Sequence, residues 1–170
     1  MKKVFFLAAL LVCSIAAQAQ RFALVDMEYI LKQIPAYEQA NQQMESLSKQ
    51  WQSEVEAKAQ EAKTMYDEYQ KNASNLSATQ KTAQENAIIA KEKEAAELRK
   101  KYFGPEGEGM KKRQELITPI QDAIYNAIKD IATQKNYDAV IDRASAQSMI
   151  FASPRIDISN EVLAKLGYSN

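Results

Sequence analysis

One stretch of this sequence, from about Pro35 to Phe103, contains no glycine and no proline after Pro35. It is built largely from Ala, Glu, Lys and Gln, which are strong helix formers. Apolar residues recur in it at steps of three and four, as along the seam of a coiled coil. This series consists of Tyr37, Ala40, Met44, Leu47, Trp51, Val55, Ala59, Ala62, Tyr66, Tyr69, Ala73 and Leu76. The pattern predicts a long helical segment that buries only one narrow face.

The helical pattern is interrupted once, by Asn and Ser residues that compete with the helix backbone for hydrogen bonds. Ser77 and Gln80 then fit a capping box, which predicts that a second helix begins there. The simplest structure is an antiparallel helical hairpin with its tip near residues 73–77 and its arms over 36–72 and 78–103. The first arm would be about 55 Å long. Because two such helices bury little surface, we expect the hairpin to project from another part of the chain.

The first 19 residues have the pattern of a secretory signal peptide. Two lysines precede an apolar run over residues 4–17, and Ala17-Gln18-Ala19 matches a cleavage site, so the mature chain is expected to begin at Gln20. A membrane anchor is an alternative, but the apolar run is short for a membrane span. A lipoprotein signal ending at Cys13 is a weaker alternative, because the residue before that cysteine is bulky.

Charge and composition exclude several kinds of function. The sequence has 22 basic and 22 acidic residues, and removal of the signal peptide leaves 20 and 22, a net charge of −2. This balance gives no support for nucleic-acid binding, which usually needs a basic face. The sequence has no histidine, and the one cysteine is Cys13, so the mature chain lacks the usual catalytic bases, thiols and zinc ligands. We therefore predict no enzyme activity, catalytic residue, metal site or cofactor, and interpret Asp26, Asp138 and Asp142 as caps and turn residues.

Outside the hairpin, the N-terminal part of the mature chain predicts a strand at about 21–26. Asp26 is then expected to cap a short helix, and Pro35 marks its boundary with the first arm. The strongest helix breaker of the chain is the segment Gly104–Gly109. A nucleotide-binding glycine loop does not fit it, because no strand precedes it and no G-K-[ST] follows. We interpret it as a loop or wide kink in the returning arm.

A more apolar helix is predicted from about Met110. Its stripe consists of Leu116, Ile117, Ile120, Ile124, Ile128 and Ile131, which indicates entry into a real core. Pro119 either starts a fresh helix after Thr118 or kinks a continuous one. Two strands at about 138–142 and 148–152, joined as a hairpin, and a last helix at about 159–166 complete the chain. Asp157 or Ser159 is expected to cap that helix, and Gly167 to end it.

The predicted fold class is therefore α+β and mostly α. A helical arm over 36–113 is inserted into a small sheet-containing body formed by 20–35 and 114–170. Three short strands would leave unpaired edges, and closing several copies around an axis would remove them, which argues for a symmetric oligomer. The residues predicted to form the shared core are Phe22, Leu24, Val140, Ile141 and Ile150.

Three segments carry a resemblance to the Skp/OmpH family of periplasmic chaperones. They are Phe22-Ala23-Leu24-Val25-Asp26-Met27, Tyr137-Asp138-Ala139-Val140-Ile141-Asp142 and Asp157-Ile158-Ser159-Asn160-Glu161-Val162-Leu163. With the signal peptide, the charged hairpin and the isoleucine helix, the resemblance extends over essentially the whole mature chain. It implies a homotrimer whose strands form a shared barrel and whose hairpins surround a cavity. In that cavity, family members hold unfolded outer-membrane proteins without ATP.

The resemblance further implies a periplasmic location in a double-membraned bacterium, and association with the outer membrane is left open. This chain departs from the better-known members, which are strongly basic along the hairpins. Its basic residues are local, as at Lys111, Lys112 and Arg113, so its charge gives no support for binding lipopolysaccharide or a membrane surface. The second departure is the Gly104–Gly109 break, which could act as a hinge or a bulge.

A chaperone of this kind needs weak contacts at many points, which add up as avidity. The candidates for contact with an unfolded client are Met44, Trp51, Met65, Tyr66 and Tyr69. Methionine suits adaptable surfaces. The alternative for each residue is that it packs in the seam of the hairpin. The alternative function for the chain is a structural coiled-coil spacer or scaffold of the cell envelope, which would need no client surface.

Overall fold

The structure is a computed structural model that describes residues 21–168, so the predicted signal peptide at 1–19 lies outside the described residues. Its helices and strands, in chain order, are β1 (Phe22–Val25), α1 (Met27–Lys32), α2 (Pro35–Asn72), α3 (Ala78–Phe103), α4 (Glu108–Lys135), β2 (Ala139–Asp142) and α5 (Ser159–Lys165). The chain divides into two compact units. The arm comprises residues 35–121, and the body comprises the described residues before and after it.

The arm is a long helical hairpin, as predicted. Helix α2 begins at Pro35, and its 38 residues pack along the 26 residues of α3. The seam buries small and β-branched residues at the predicted spacing, which are Ala40, Val55 and Ala62 of α2 and Ile88 and Ala95 of α3. Since most other positions on both helices are at least partly exposed, the hairpin is held by a narrow apolar stripe.

The tip of the hairpin has the predicted cap. A single 3₁₀ turn over Ala73–Asn75 follows the end of α2. The Ser77 hydroxyl then accepts a hydrogen bond from the Gln80 amide at 3.3 Å, and the Gln80 side chain accepts one from the Ser77 amide at 2.9 Å. This reciprocal pair satisfies two amides that have no partner within the helix, so it fixes where α3 begins.

The glycine-containing break is short. Helix α3 ends at Phe103, and α4 begins at Glu108, so only residues 104–107 are outside helix. Helix α4 then continues through Pro119 to Lys135, which decides between the two sequence alternatives in favour of one continuous helix. No helix in the described part of the chain is long and apolar enough to cross a membrane.

The body contains a two-stranded parallel sheet. Strands β1 and β2 pair in the register Leu24 to Ile141, and the other edge of β1 meets Asp157 in an isolated bridge. Among the described residues, the largest fully buried side chains are Ile30, Ile124 and Val162, which come from α1, α4 and α5. The isoleucine stripe of α4 therefore enters a core, as expected, and this core is small.

The third predicted strand, at 148–152, is wrong for the single chain. The segment from Ser145 to Met149 makes local turns, in which the Met149 amide donates to the Ala146 carbonyl at 3.2 Å. No residue of 148–152 is in a strand, and β1 and β2 pair in parallel rather than through a hairpin with this segment. An apolar run indicates β propensity, but a strand forms only when it pairs with a neighbouring strand. Within the described residues, this segment has no such partner.

The predicted cap of α1 and the glycine after α5 are confirmed, whereas the cap predicted at the start of α5 is wrong, because no side chain caps that helix. The Asp26 side chain accepts a hydrogen bond from the Tyr29 amide at 2.8 Å and caps α1. At the last helix, Asp157 accepts from the Ser159 amide at 2.9 Å, although Ile158 occupies the cap position itself. Gly167, with φ of 84°, follows the end of that helix, in the left-handed conformation that glycine favours.

Candidate functional site

All five predicted client contacts lie on α2 of the hairpin, and Tyr66 is the most exposed of them. Met44, Trp51, Met65 and Tyr69 are half-buried. Tyr66 is 45% exposed, and its hydroxyl accepts a hydrogen bond from the Gln70 side chain at 2.6 Å. The structure therefore separates one outward-facing tyrosine from residues that also contribute to packing within the arm.

Trp51 belongs to an aromatic cluster that joins the two helices of the arm. Its ring is stacked on Tyr102, with centroids 5.2 Å apart and planes 13° from parallel, and Phe103 meets it edge-on at 6.3 Å. The Tyr102 hydroxyl donates a hydrogen bond to Glu54. This bond lowers the pKa of the Glu54 carboxyl and raises the pKa of the Tyr102 hydroxyl, because it favours the charged carboxylate and the neutral phenol.

Two other candidates, Met65 and Tyr69, line a small pocket between α2 and α3 near the tip of the hairpin. The Tyr69 hydroxyl donates a hydrogen bond to Glu85, which raises the pKa of Tyr69. Met65 and Ile88 line the same pocket, whose volume is about 220 Å³. This part of the seam is therefore not completely filled, and flexible methionine is present where the gap occurs.

Sequence reasoning missed three apolar side chains on the surface of the arm. They are Ile89, Phe103 and Met110, and Ile89 is 60% exposed. Ile89 directly follows the buried Ile88, so one isoleucine of the pair packs in the seam and the other faces solvent. An apolar doublet on an otherwise polar helix was the signal that could have identified it.

The charges of the arm are largely paired along their own helices. Lys93 and Glu97 lie 3.7 Å apart and are both well exposed. Within the predicted basic group, Lys111 pairs with Glu108 at 3.4 Å and Lys112 with Glu115 at 2.9 Å. Exposed pairs of this kind add little stability, but they reduce the local positive charge that a basic patch would need.

The predicted oligomer core divides into buried and exposed residues in the single chain. Leu24 is buried within the body, and Val140 is half-buried. Phe22, Ile141 and Ile150 are exposed, to 43%, 42% and 101%. Phe151, which the sequence analysis did not select, is exposed to 84% beside Ile150. The exposed side chains are available for contact with another molecule, whereas the buried Leu24 is not.

A polar network at the carboxyl ends of the strands ties the body together. Arg143 contacts Asp26 at 3.0 Å and Asp157 at 3.4 Å. The buried Ser159 hydroxyl donates to Asp157 at 2.6 Å and accepts from the Asp26 amide at 2.8 Å. Asp142 accepts from the Met27 amide at 3.2 Å. Asp26, Asp142 and Asp157 thus connect β1, β2 and the last helix, whereas Asp138 accepts a hydrogen bond from the Arg21 amide at 2.7 Å before β2 begins.

We expect Asp26→Asn to make the body less sensitive to acid. The Tyr29 amide, followed by Arg143, holds the pKa of Asp26 below its usual 3.8 against the opposing effect of partial burial. A depressed native pKa means that the carboxylate stabilises the fold above its usual pKa and loses this contribution as the pH falls through the native value. Asparagine caps helices as well as aspartate, so the variant should lose about 1 kcal/mol of stability at neutral pH and progressively less as the pH falls below 3.8.

The measurement is urea unfolding of both proteins at neutral pH and at pH about 3. Glu28→Gln, which removes an exposed carboxylate paired with Lys32 on the same helix, is the control and should change the free energy of unfolding by less than Asp26→Asn does at neutral pH, because exposed ion pairs add little stability. An equal loss of stability for Asp26→Asn at both pH values would reject the electrostatic role of Asp26.

The fold and the sequence together define the class of protein. The family model described as outer membrane protein (OmpH-like) matches residues 21–166. Because this match includes most of the chain, the protein belongs to the OmpH-like family. The resemblance drawn from the end segments is therefore confirmed.

Individual relatives agree with this assignment. The chain is 29% identical over 158 residues to Chaperone protein Skp of Yersinia enterocolitica, and the alignment covers 92% of each chain. It is 28% identical to Chaperone protein Skp of Photorhabdus laumondii, over 90% of each chain. A crystal structure of an OmpH-like outer membrane chaperone from Caulobacter crescentus has a TM-score of 0.68, covering 89% of this chain and 86% of the other. At 11% identity, that structure supports the fold alone.

Proposed function

We propose that this protein is a periplasmic chaperone that binds unfolded outer-membrane proteins and prevents their aggregation before insertion, without using ATP. Membership in the OmpH-like family and the relatives named Skp support this assignment. The observation that carries it is the arm, a hairpin with a narrow seam whose outer surface combines paired charges with scattered apolar side chains. Such a surface suits many weak contacts with a client rather than one tight site.

We further propose that the protein acts as a homotrimer assembled through the body. This is supported by the exposed side chains of Phe22, Ile141, Ile150 and Phe151, because large apolar groups exposed together on a small body mark a surface for interaction with another protein. The outer edge of β2, which pairs only with β1 in the described part of the chain, offers backbone groups to a neighbouring strand. Assembly would bury both features together.

Client contact is assigned first to Tyr66, with Met65 and Tyr69 contributing at the small pocket near the tip. Tyr66 is exposed on one helix of the arm, and its ring can stack on aromatic side chains of an unfolded barrel. Met44 and Trp51 are weaker candidates for client contact than Tyr66, because both are half-buried and Trp51 already stacks on Tyr102.

The test is light scattering after a urea-unfolded outer-membrane β-barrel is diluted into buffer with the mature protein, residues 20–170. We expect aggregation to be suppressed at a near-stoichiometric ratio and equally with and without ATP. Tyr66→Ser should weaken suppression several-fold, whereas Ser48→Ala, an exposed change on the same helix, should leave it unchanged. A structural spacer would leave aggregation of the client unaffected at every salt concentration, and that result would reject the chaperone proposal.

A further inference from the structure

The four residues between α3 and α4 form a closed turn. The Gly107 amide donates to the Gly104 carbonyl at 2.9 Å. On either side, the Gly104 amide donates to the Lys100 carbonyl at 2.9 Å and the Lys111 amide donates to the Gly107 carbonyl at 3.2 Å. Backbone hydrogen bonding therefore passes from one helix into the next with little interruption, unlike a loop whose amides are open to water.

Two glycines are present in this turn because the backbone approaches itself closely. A Cβ atom added at Gly104 would overlap the Lys100 carbonyl oxygen. At Gly107 it would lie 2.7 Å from the Lys101 carbonyl oxygen and 2.8 Å from that of Tyr102. Gly104 has φ of −67°, which any residue can adopt. Close packing thus explains these glycines, and they do not by themselves indicate flexibility.

The aromatic cluster of the arm lies directly against this turn. Tyr102 stands two residues before Gly104 and stacks on Trp51 of the opposite helix, while its hydroxyl bonds to Glu54. Beyond the turn, Gly109 is also close to the same tryptophan, since a Cβ added there would lie 3.5 Å from the Trp51 ring. Trp51 therefore lies close to residues on both sides of the break.

We propose that the Gly104–Gly107 break is a latched joint. Trp51 and Glu54 on α2 hold Tyr102 in place, and Tyr102 keeps the turn closed. The arm is rigid at the break while the aromatic stack is intact, and it bends there when Tyr102 leaves Trp51. This inference does not depend on the chaperone proposal, because its readouts are structural.

Hydrogen exchange in the intact mature protein tests the latch. In the unaltered protein, the amides of Gly104, Gly107 and Lys111 should exchange slowly, like those within α3. Tyr102→Leu removes both the stack and the bond to Glu54, and should raise exchange at these amides about tenfold to a hundredfold. Tyr102→Phe keeps the stack and loses only the bond, so its exchange should fall between the two.

Matched controls separate the latch from a general loss of stability. Tyr66→Leu removes an exposed tyrosine of the same hairpin and should leave exchange at the turn unchanged. Gly107→Ala should open the turn as Tyr102→Leu does, whereas Glu106→Ala, at an exposed position beside it, should not. Trp51 is the one tryptophan of the sequence, so its fluorescence should change with Tyr102→Leu and stay constant with Tyr66→Leu.

Two results would overturn the proposal. The first is fast exchange at Gly104 and Gly107 in the unaltered protein, which would mean that the break is an open hinge regardless of the cluster. The second is exchange at the turn that is the same with Tyr102→Phe, Tyr102→Leu and Gly107→Ala as in the unaltered protein. If Tyr102→Leu does not fold, the unaltered protein and Tyr102→Phe still decide the matter.

Discussion

Ile141→Asp is expected to dissociate the proposed homotrimer while each chain keeps its fold. Ile141 is 42% exposed in the single chain, so a charge there can remain hydrated in a monomer. In an assembly that covers the outer face of β2, the same carboxylate would be buried without a partner, at a cost of several kcal/mol per copy. Sedimentation equilibrium should therefore show a monomer, and far-UV circular dichroism should show unchanged helix content.

The control for this prediction is Ile89→Asp. Ile89 is even more exposed, at 60%, but it lies on the arm rather than the body. We expect the oligomer to survive that change. An intact oligomer for Ile141→Asp, with the same mass as the unaltered protein, would show that the assembly interface lies elsewhere.

Ile124→Ala should be the most destabilising of the single substitutions considered for the body. Ile124 is fully buried in α4, and few large residues in this core share that degree of burial. Replacing a buried isoleucine by alanine removes transfer free energy and leaves a cavity, which together cost about 2–5 kcal/mol. Since a small domain is stable by only about 5–15 kcal/mol, this loss should be visible as a large shift in urea unfolding.

Asn126→Ala is the matched control, because Asn126 lies two residues further along the same helix and is exposed. Its effect should stay within about 0.5 kcal/mol. Both variants should be unfolded at several protein concentrations, since assembly adds stability by mass action. A loss below about 1 kcal/mol for Ile124→Ala would mean that the core of the body is not where the structure places it.

The arm could be predicted closely because its signals are local. Helix-forming composition, the three-and-four spacing and the Ser77–Gln80 capping box all act within a few residues of one another. The predicted returning arm over 78–103 accordingly coincides with α3. Pro119 was ambiguous, because a proline fits both a first helical turn and the interior of a kinked helix.

The body was harder to predict because strands depend on distant partners. Residues 148–152 have an apolar pattern that favours a strand, but they pair with no strand among the described residues, and Ile150 and Phe151 are exposed. The parallel pairing of β1 with β2 joins segments more than a hundred residues apart, and the sequence spacing does not specify it. Periodicity indicates which residues are apolar, but it does not identify what covers them.

The candidate site showed the same limit. Sequence spacing treated Trp51, Tyr66 and Tyr69 alike, since all three follow the seam of the first arm. The structure distinguishes them by partners on the other helix, with Trp51 against Tyr102 and Tyr69 bonded to Glu85. Those partners lie 51 and 16 positions away in sequence, so no local pattern could have sorted packed from exposed aromatic residues.

Self-assembly of the body can be measured as the mass of the mature protein in solution, determined by light scattering on a sizing column over a range of concentrations. We predict an oligomer, because the body exposes apolar side chains and a strand edge that copies of the chain can cover, and the family resemblance implies that the number of copies is three. A monomer that persists at the highest concentration, with unchanged helix content, would contradict it.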